Sequence, residues 1–78
     1  MERYKVAFQG AEARYSTKAC NFMMVKIGEN ELYAEVIWDN DMDETEFDNY
    51  SYPILKDEVI RQAKEIGVEE SQLEFWWD

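Results

Sequence analysis

Carboxylates are the side chains of this sequence whose number and spacing could do chemistry. Nine of the eighteen Asp and Glu residues fall within residues 29–48, a window that contains no Lys or Arg. The remaining residues hold nine acids against eight bases and are nearly neutral, although the whole chain carries a net charge of -10. The negative charge is therefore local, which predicts a single acidic binding surface on a loop and its neighbouring strand.

The spacing of three of these carboxylates is that of a metal-binding loop. Asp39, Asp41 and Asp43 alternate like the first three ligands of a calcium-binding EF-hand. The match ends there, because that loop needs Gly at its sixth position and Glu at its twelfth, where this chain has Glu44 and Tyr50. We expect no metal site and a hydrated acidic segment, with weak binding of a divalent cation as the alternative.

Catalytic and cofactor chemistry is disfavoured by the residues that the sequence lacks. It has no His and a single Cys, which is Cys20. This removes the Ser-His-Asp and Cys-His pairs of nucleophilic catalysis and the usual ligands of zinc. The acidic surface would also repel phosphate backbones, which bind through Lys and Arg. We expect a protein that is not an enzyme, has no cofactor and does not bind nucleic acid directly.

Length and composition predict one small folded domain over residues 1–78. The chain is long enough for a single core, and its aromatic content of 15% argues against disorder. A lone Cys excludes an intrachain disulfide, and no apolar run approaches the roughly 20 residues that cross a bilayer. We therefore expect a soluble cytoplasmic protein that does not contact membranes.

The elements that would position the acidic segment follow from the apolar periodicity. Alternation over residues 3–9, 22–27, 31–38 and 73–77 predicts strands, and the turn at Gly28 joins the second and third into a hairpin. A helix is predicted before the last strand, which makes the order β-β-β-α-β. The economical architecture is an α+β fold, with one main helix packed on one face of a small, mostly antiparallel sheet of about four strands.

The connecting segments complete this prediction. Residues 11–20 show no clear period, and we interpret them as loop or irregular strand. Six acids in ten residues predict that residues 39–48 are a loop, because like charges repel and Asp and Asn favour turns. Pro53 suits the first turn of the helix, and Gly67 suits a left-handed cap at its end.

Aromatic residues in and around the acidic run could form the apolar part of a binding site. Phe47 and Tyr50 are candidate anchors, because aromatic side chains bury a large area with few rotatable bonds. The alternative for Phe47 is that it anchors the acidic loop to the sheet. Trp38 ends the core face of its strand and is expected to be buried. Trp76 and Trp77 lie on opposite faces of the last strand, so both can be buried only in a sheet covered on two sides.

These observations favour a protein-binding module whose acidic loop and adjoining aromatics bind a basic protein surface. In one form of this hypothesis, the carboxylates mimic nucleic-acid phosphates and the protein inhibits a nucleic-acid-binding protein. The alternative is a self-associating structural or assembly protein, such as a homodimer, in which the acidic loop only confers solubility. The residues predicted to bind the partner are Asp39, Asp41, Asp43, Glu44, Glu46, Phe47, Asp48 and Tyr50.

Overall fold

The elements of the fold come from a computed structural model, which describes residues 3–9, 14–15, 18–37 and 41–77. These residues form five strands, one long helix and a short 3-10 helix. In chain order the elements are β1 (Tyr4–Gln9), β2 (Arg14–Tyr15), β3 (Lys18–Ile27), β4 (Asn30–Ile37), α1 (Glu44–Glu65), the 3-10 helix (Glu70–Gln72) and β5 (Leu73–Trp77).

Four of the strands form a mixed sheet in the order β4-β3-β1-β5. β3 pairs antiparallel with both β4 and β1, whereas β5 returns to lie parallel to β1. The two-residue strand β2 pairs with the start of β3. The α+β fold, the order of its elements and its single main helix are therefore confirmed.

The hairpin between β3 and β4 forms where the sequence predicted a turn. Gly28 has a φ of +62°, a left-handed conformation that residues with a Cβ rarely adopt. β3 is longer than predicted, because it begins at Lys18 inside the segment 11–20 that we expected to be irregular. Its extra residues pair with β2, and Cys20 lies opposite Ile37 of β4. Strand pairing therefore extends β3 into a segment whose own periodicity is weak.

The helix α1 begins at Glu44, well before Pro53. Two predictions were wrong here: residues 44–48 are helical and do not belong to a loop, and Pro53 lies inside the helix and not in its first turn. The physical reason is a buried seam at four-residue spacing, which continues the apolar stripe toward the N-terminus. The seam consists of Phe47, Ser51, Leu55, Val59 and Ala63. The C-terminal prediction is confirmed, since Gly67 follows the helix with a φ of +83°.

The core lies between α1 and one face of the sheet. Val6 and Phe8 of β1 and Leu32 and Ala34 of β4 are buried there, as their alternation predicted. Trp38, which was expected in the same layer, lies outside the described residues. We call the other side of the sheet the open face, because α1 does not pack on it. Its exposed apolar side chains are Met24, Tyr33, Ile37 and Trp76.

Candidate functional site

The described acidic segment ends in the N-terminal cap of α1. Asp43 has extended backbone angles, with φ of -78° and ψ of 172°, and its Oδ1 accepts a 2.9 Å hydrogen bond from the backbone N–H of Glu46. Glu44 and Glu46 occupy the first turn, where N–H groups without helical acceptors create a partial positive charge. Carboxylates that predicted a loop therefore stabilise the start of a helix.

Two of the predicted binding residues turn toward the interior. Phe47 is fully buried, so it anchors the first half of the helix. Asp48 is half-buried, and its Oδ1 accepts a 2.9 Å hydrogen bond from Nδ2 of Asn21. The same amide nitrogen donates to Oγ of Ser51, and both Asn21 and Ser51 are completely buried. This polar contact ties the first half of α1 to β3.

Two large apolar side chains beside the acidic cap remain exposed. Tyr50 and Ile54 keep 49% and 43% of their surfaces accessible to solvent. They follow Glu46 at four-residue spacing, so the three side chains lie along one side of the helix, a turn apart. We call Glu46, Tyr50 and Ile54 the helix ridge. It places exposed apolar area directly beside an exposed carboxylate.

Among the described residues, the carboxylates of residues 29–48 do not form one surface, so the prediction of a single acidic binding surface was wrong. Glu31 and Glu35 project from the open face, because their neighbours Leu32 and Ala34 face the helix on the other side. Asp39 lies outside the described residues. The candidate site therefore contracts to the start of α1. The exposed carboxylates there are Asp41, Asp43, Glu44 and Glu46.

Sequence reasoning missed the capping role of Asp43 and the two buried residues that position this site, Asn21 and Ser51. Asp43 and Glu46 have the three-residue spacing of a capping box, which marks a helix start. Asn21 interrupts the apolar core-facing side of β3, and a polar residue in such a position predicts a buried hydrogen bond. Ser51 had no comparable signal, because a serine beside an acidic run resembles an ordinary loop residue.

The second half of α1 pairs its charges internally. Arg61 donates to Glu58 over 2.9 Å and 2.6 Å and to Glu65 over 2.6 Å. Hydrogen bonds from Arg61 and then from Gln62 lower the pKa of Glu58 to about 2. Neither Glu44 nor Glu46 takes part in a salt bridge with another described residue. The start of the helix therefore keeps its negative charge available to a partner.

Other potentially reactive groups offer little chemistry. Burial raises the pKa of the Cys20 thiol, and the charge of Glu35 adds to this effect, so the reactive thiolate is disfavoured. In the described part of the chain, no three Asp, Glu or Cys side chains come together as a metal site. None of the helices in that part combines the length and hydrophobicity needed to cross a bilayer.

Comparison with protein-family models, curated proteins and solved structures found no match to this chain. What the protein does is therefore inferred from its own residues.

Proposed function

We propose that this chain is a non-enzymatic protein-binding module that holds a basic protein through the start of α1. The observation that carries the proposal is the helix ridge, in which Tyr50 and Ile54 are exposed on the same side of the helix as Glu46. Binding surfaces gain most of their affinity from buried aromatic and aliphatic side chains. Charges around these side chains select the partner and speed encounter.

The charge of the helix start defines the chemistry of the partner. Glu44 and Glu46 are exposed, and the chain has no Lys or Arg between residues 29 and 48 to oppose them. A surface rich in Lys and Arg would be attracted over about 8 to 10 Å at ordinary ionic strength. Binding should therefore weaken as the salt concentration rises, while the contact of Tyr50 and Ile54 resists salt.

The best-suited class of partner is a protein that normally binds nucleic acid. Such a protein presents Lys and Arg arranged for regularly spaced phosphates, and exposed carboxylates can occupy the same contacts. Glu44 and Glu46 lie in the first turn of α1, so their backbone is already ordered before binding. In this role the module would act as an inhibitor that competes with nucleic acid.

A second candidate function is self-association through the open face. It is favoured by a row of apolar side chains that crosses the strands on this face. The register places Tyr33 opposite Met24, Met24 opposite Ala7, and Ala7 opposite Trp76. Met24 and Trp76 are 42% and 47% exposed. Contiguous exposed apolar area often marks an interface. In this hypothesis the carboxylates of the helix start only confer solubility.

The test of the main proposal is affinity capture from the native host with the full chain as bait, at low and high salt. We expect basic nucleic-acid-binding proteins at low salt and their loss at high salt. The double variant Glu44→Gln with Glu46→Gln should lose them at both salt concentrations. Its matched control, Glu69→Gln with Glu70→Gln, removes the same charge at the start of the 3-10 helix, beyond the C-terminal end of α1, and should capture them normally.

The contribution of the exposed apolar side chains to binding is tested with a second variant and its matched control. Tyr50→Ala should weaken capture by about tenfold or more, as expected for an aromatic residue at the centre of an interface. Ile66→Ala removes a comparably exposed apolar side chain away from the helix ridge and should have no effect. Equal capture by all four variants would contradict the proposal. A dimer that dissociates on dilution and is lost in Met24→Lys, but not in the Glu44 and Glu46 variant, would favour self-association.

A further inference from the structure

The outer edge of the sheet beside α1 has hydrogen-bonding groups that point away from the sheet. β4 is the last strand on this side and pairs with β3 alone among the described strands. Tyr33 directs both of its backbone groups outward, since they bond to Gln62 of the helix. In an antiparallel strand this orientation recurs at every second residue, so Glu35 and Ile37 also direct theirs outward.

Gln62 shows how this edge accepts a peptide group. Its Oε1 accepts from the N–H of Tyr33 over 3.2 Å, and its Nε2 donates to the carbonyl of Tyr33 over 3.0 Å. Because the carboxamide of Gln62 both accepts and donates a hydrogen bond, it reproduces the contact that the backbone of one residue in an added strand would make. Gln62 thus closes the edge at Tyr33. No hydrogen bond from the described residues reaches the outward backbone groups of Glu35.

Beyond Gln62 a groove opens between the strand and the helix. This groove has a volume of about 630 Å³, and we call it the edge groove. Its apolar lining includes Val36, Leu55 and Ile54, the last of which also belongs to the helix ridge. Its charged residues are three carboxylates and one guanidinium, and because that guanidinium pairs with Glu58, the negative charge left to attract a partner is that of Glu35 and Asp57. The carboxylates are Glu35, Asp57 and Glu58.

We infer that an extended segment of a basic partner adds as a strand to the outer edge of β4 and fills the edge groove. This inference rests on the proposed function, because it names the part of the partner that would be held. The backbone of the segment bonds to Glu35 and Ile37. Its side chains alternate between the groove, where Ile54 and Val36 favour apolar groups, and the open face, where Glu35 favours Lys or Arg.

The negative charge of β4 also disfavours a second copy of this chain as the occupant of the edge groove. Antiparallel pairing of two β4 strands would bring Glu31 and Glu35 of each copy close to those of the other. Like charges directly opposite each other destabilise a strand pair, and charged edge strands are a common protection against such pairing. A basic segment meets no such repulsion.

The test uses the full chain, labelled with ¹⁵N, and three blocked decapeptides as probes. One alternates Lys and Val, one alternates Glu and Val, and one is the Lys and Val peptide with two central prolines. We expect only the first to bind, to shift the resonances of residues 33–37 and to slow hydrogen exchange of the Glu35 and Ile37 amides. Binding of the proline peptide at equal strength would overturn the inference, since it cannot form the strand contacts.

Matched variants locate the site. Glu35→Pro removes an outward N–H while leaving the bonds to β3 intact, and it should abolish binding of the Lys and Val peptide. Glu31→Pro removes the same charge and an equivalent outward N–H away from the edge groove, and it should bind normally. Ile54→Lys alters only an exposed helix position, so the protein should still fold. It should weaken binding of the Lys and Val peptide by about tenfold or more. This variant tests the edge groove if Glu35→Pro fails to fold.

The outcomes separate this inference from the proposed function. If capture of basic proteins depends on Glu44, Glu46 and Tyr50 but Glu35→Pro captures normally, the strand addition is wrong and the proposed function stands. If the Glu35 and Ile37 amides become protected at high protein concentration without peptide, a second copy occupies the edge and the inference is overturned. Absence of peptide binding at millimolar concentration also overturns it.

Discussion

The two halves of α1 pack on the sheet through the same kind of buried seam but differ in charge, since the first half is acidic and the second half holds equal numbers of acids and bases. Residues 44–52 contain three carboxylates and no Lys or Arg, whereas residues 53–65 contain every cation of the helix. Yet one buried seam runs through both halves, from Phe47 to Ala63. The comparison shows that the spacing of buried residues, and not the charge of the exposed ones, determined where the helix extends.

The two halves of α1 differ in how much carboxylate charge is left uncompensated and can therefore attract a partner. In the second half, Arg61 pairs with Glu58 and Glu65, which largely compensates these two carboxylates, while Asp57 beside the edge groove takes no part in this pairing. At the start of the first half, the carboxylate of Asp43 caps the helix by accepting a hydrogen bond from the N–H of Glu46. Glu44 and Glu46 interact with the partial positive charge of the helix start. A helix dipole compensates a carboxylate only partly, so the first half can still attract a basic protein.

The largest expected effect tests whether the first half is part of the cooperative fold. Phe47→Ala should reduce the free energy of unfolding by about 3 to 5 kcal/mol, because it leaves a cavity beneath the helix. Urea unfolding followed by circular dichroism measures this change. Tyr50→Ala, an exposed aromatic in the same half, should change it by less than about 1 kcal/mol. If Phe47→Ala lowers the helicity without moving the unfolding midpoint, the first half of α1 does not belong to the cooperative unit that unfolds with the core.

The next effect concerns Pro53, which stands where the halves meet. Proline lacks the N–H that would bond to the carbonyl of Asn49, and its ring crowds that carbonyl. Pro53→Ala should therefore raise the free energy of unfolding, by up to about 3 kcal/mol, and raise the thermal midpoint. Lys56→Ala, one turn later, should have little effect. A loss of stability in Pro53→Ala would show that the backbone conformation that Pro53 imposes is needed to fit both halves to the sheet.

A smaller effect is expected at the cap. Asp43→Ala should cost about 1 kcal/mol, because the N–H of Glu46 loses its acceptor. Asp43→Asn keeps an acceptor at the same position and should retain most of the stability. Equal losses in the two variants, measured by thermal unfolding, would mean that charge and not capping is the main contribution of Asp43.

The smallest effect is a pH dependence in the second half. The pKa of Glu58 is about 2 in the folded protein, below the ordinary 4.5, so its contribution to stability is present above pH 4.5 and is lost as the pH falls toward 2. The side chain is exposed, so the contribution should be small. Glu58→Gln should therefore lower the thermal midpoint slightly at pH 7 and not at pH 2. A difference that is independent of pH would contradict this assignment.

Much of the scaffold could be predicted because its signals are local. Alternation placed Val6, Phe8, Leu32 and Ala34 in the core, and Gly28 marked the hairpin turn. The helical part of the acidic segment was not predicted, because dense negative charge with Asp and Asn residues is also typical of a loop. The seam at Phe47 and Ser51 would have indicated the earlier start, since it keeps the spacing of the later half.

Parts of the candidate site could not be predicted in this way. The contact between Asn21 and Ser51 joins residues 30 positions apart, and that between Tyr33 and Gln62 joins residues 29 apart. Such pairs depend on how α1 crosses the sheet, and no local pattern encodes that crossing. The edge groove is a consequence of the same crossing, because strand and helix enclose it together.

The sequence by itself determined the four main strands and the single main helix, their order, and the excess of negative charge near the middle of the chain. Those properties depend on neighbouring residues, whose spacing is set by backbone geometry. Only the tertiary structure decided that Glu31 and Glu35 diverge from Glu44 and Glu46, that Phe47 is interior while Tyr50 is exposed, and that one edge of the sheet lies open beside the helix. These depend on packing between elements distant in the chain, where burial of apolar area selects one arrangement.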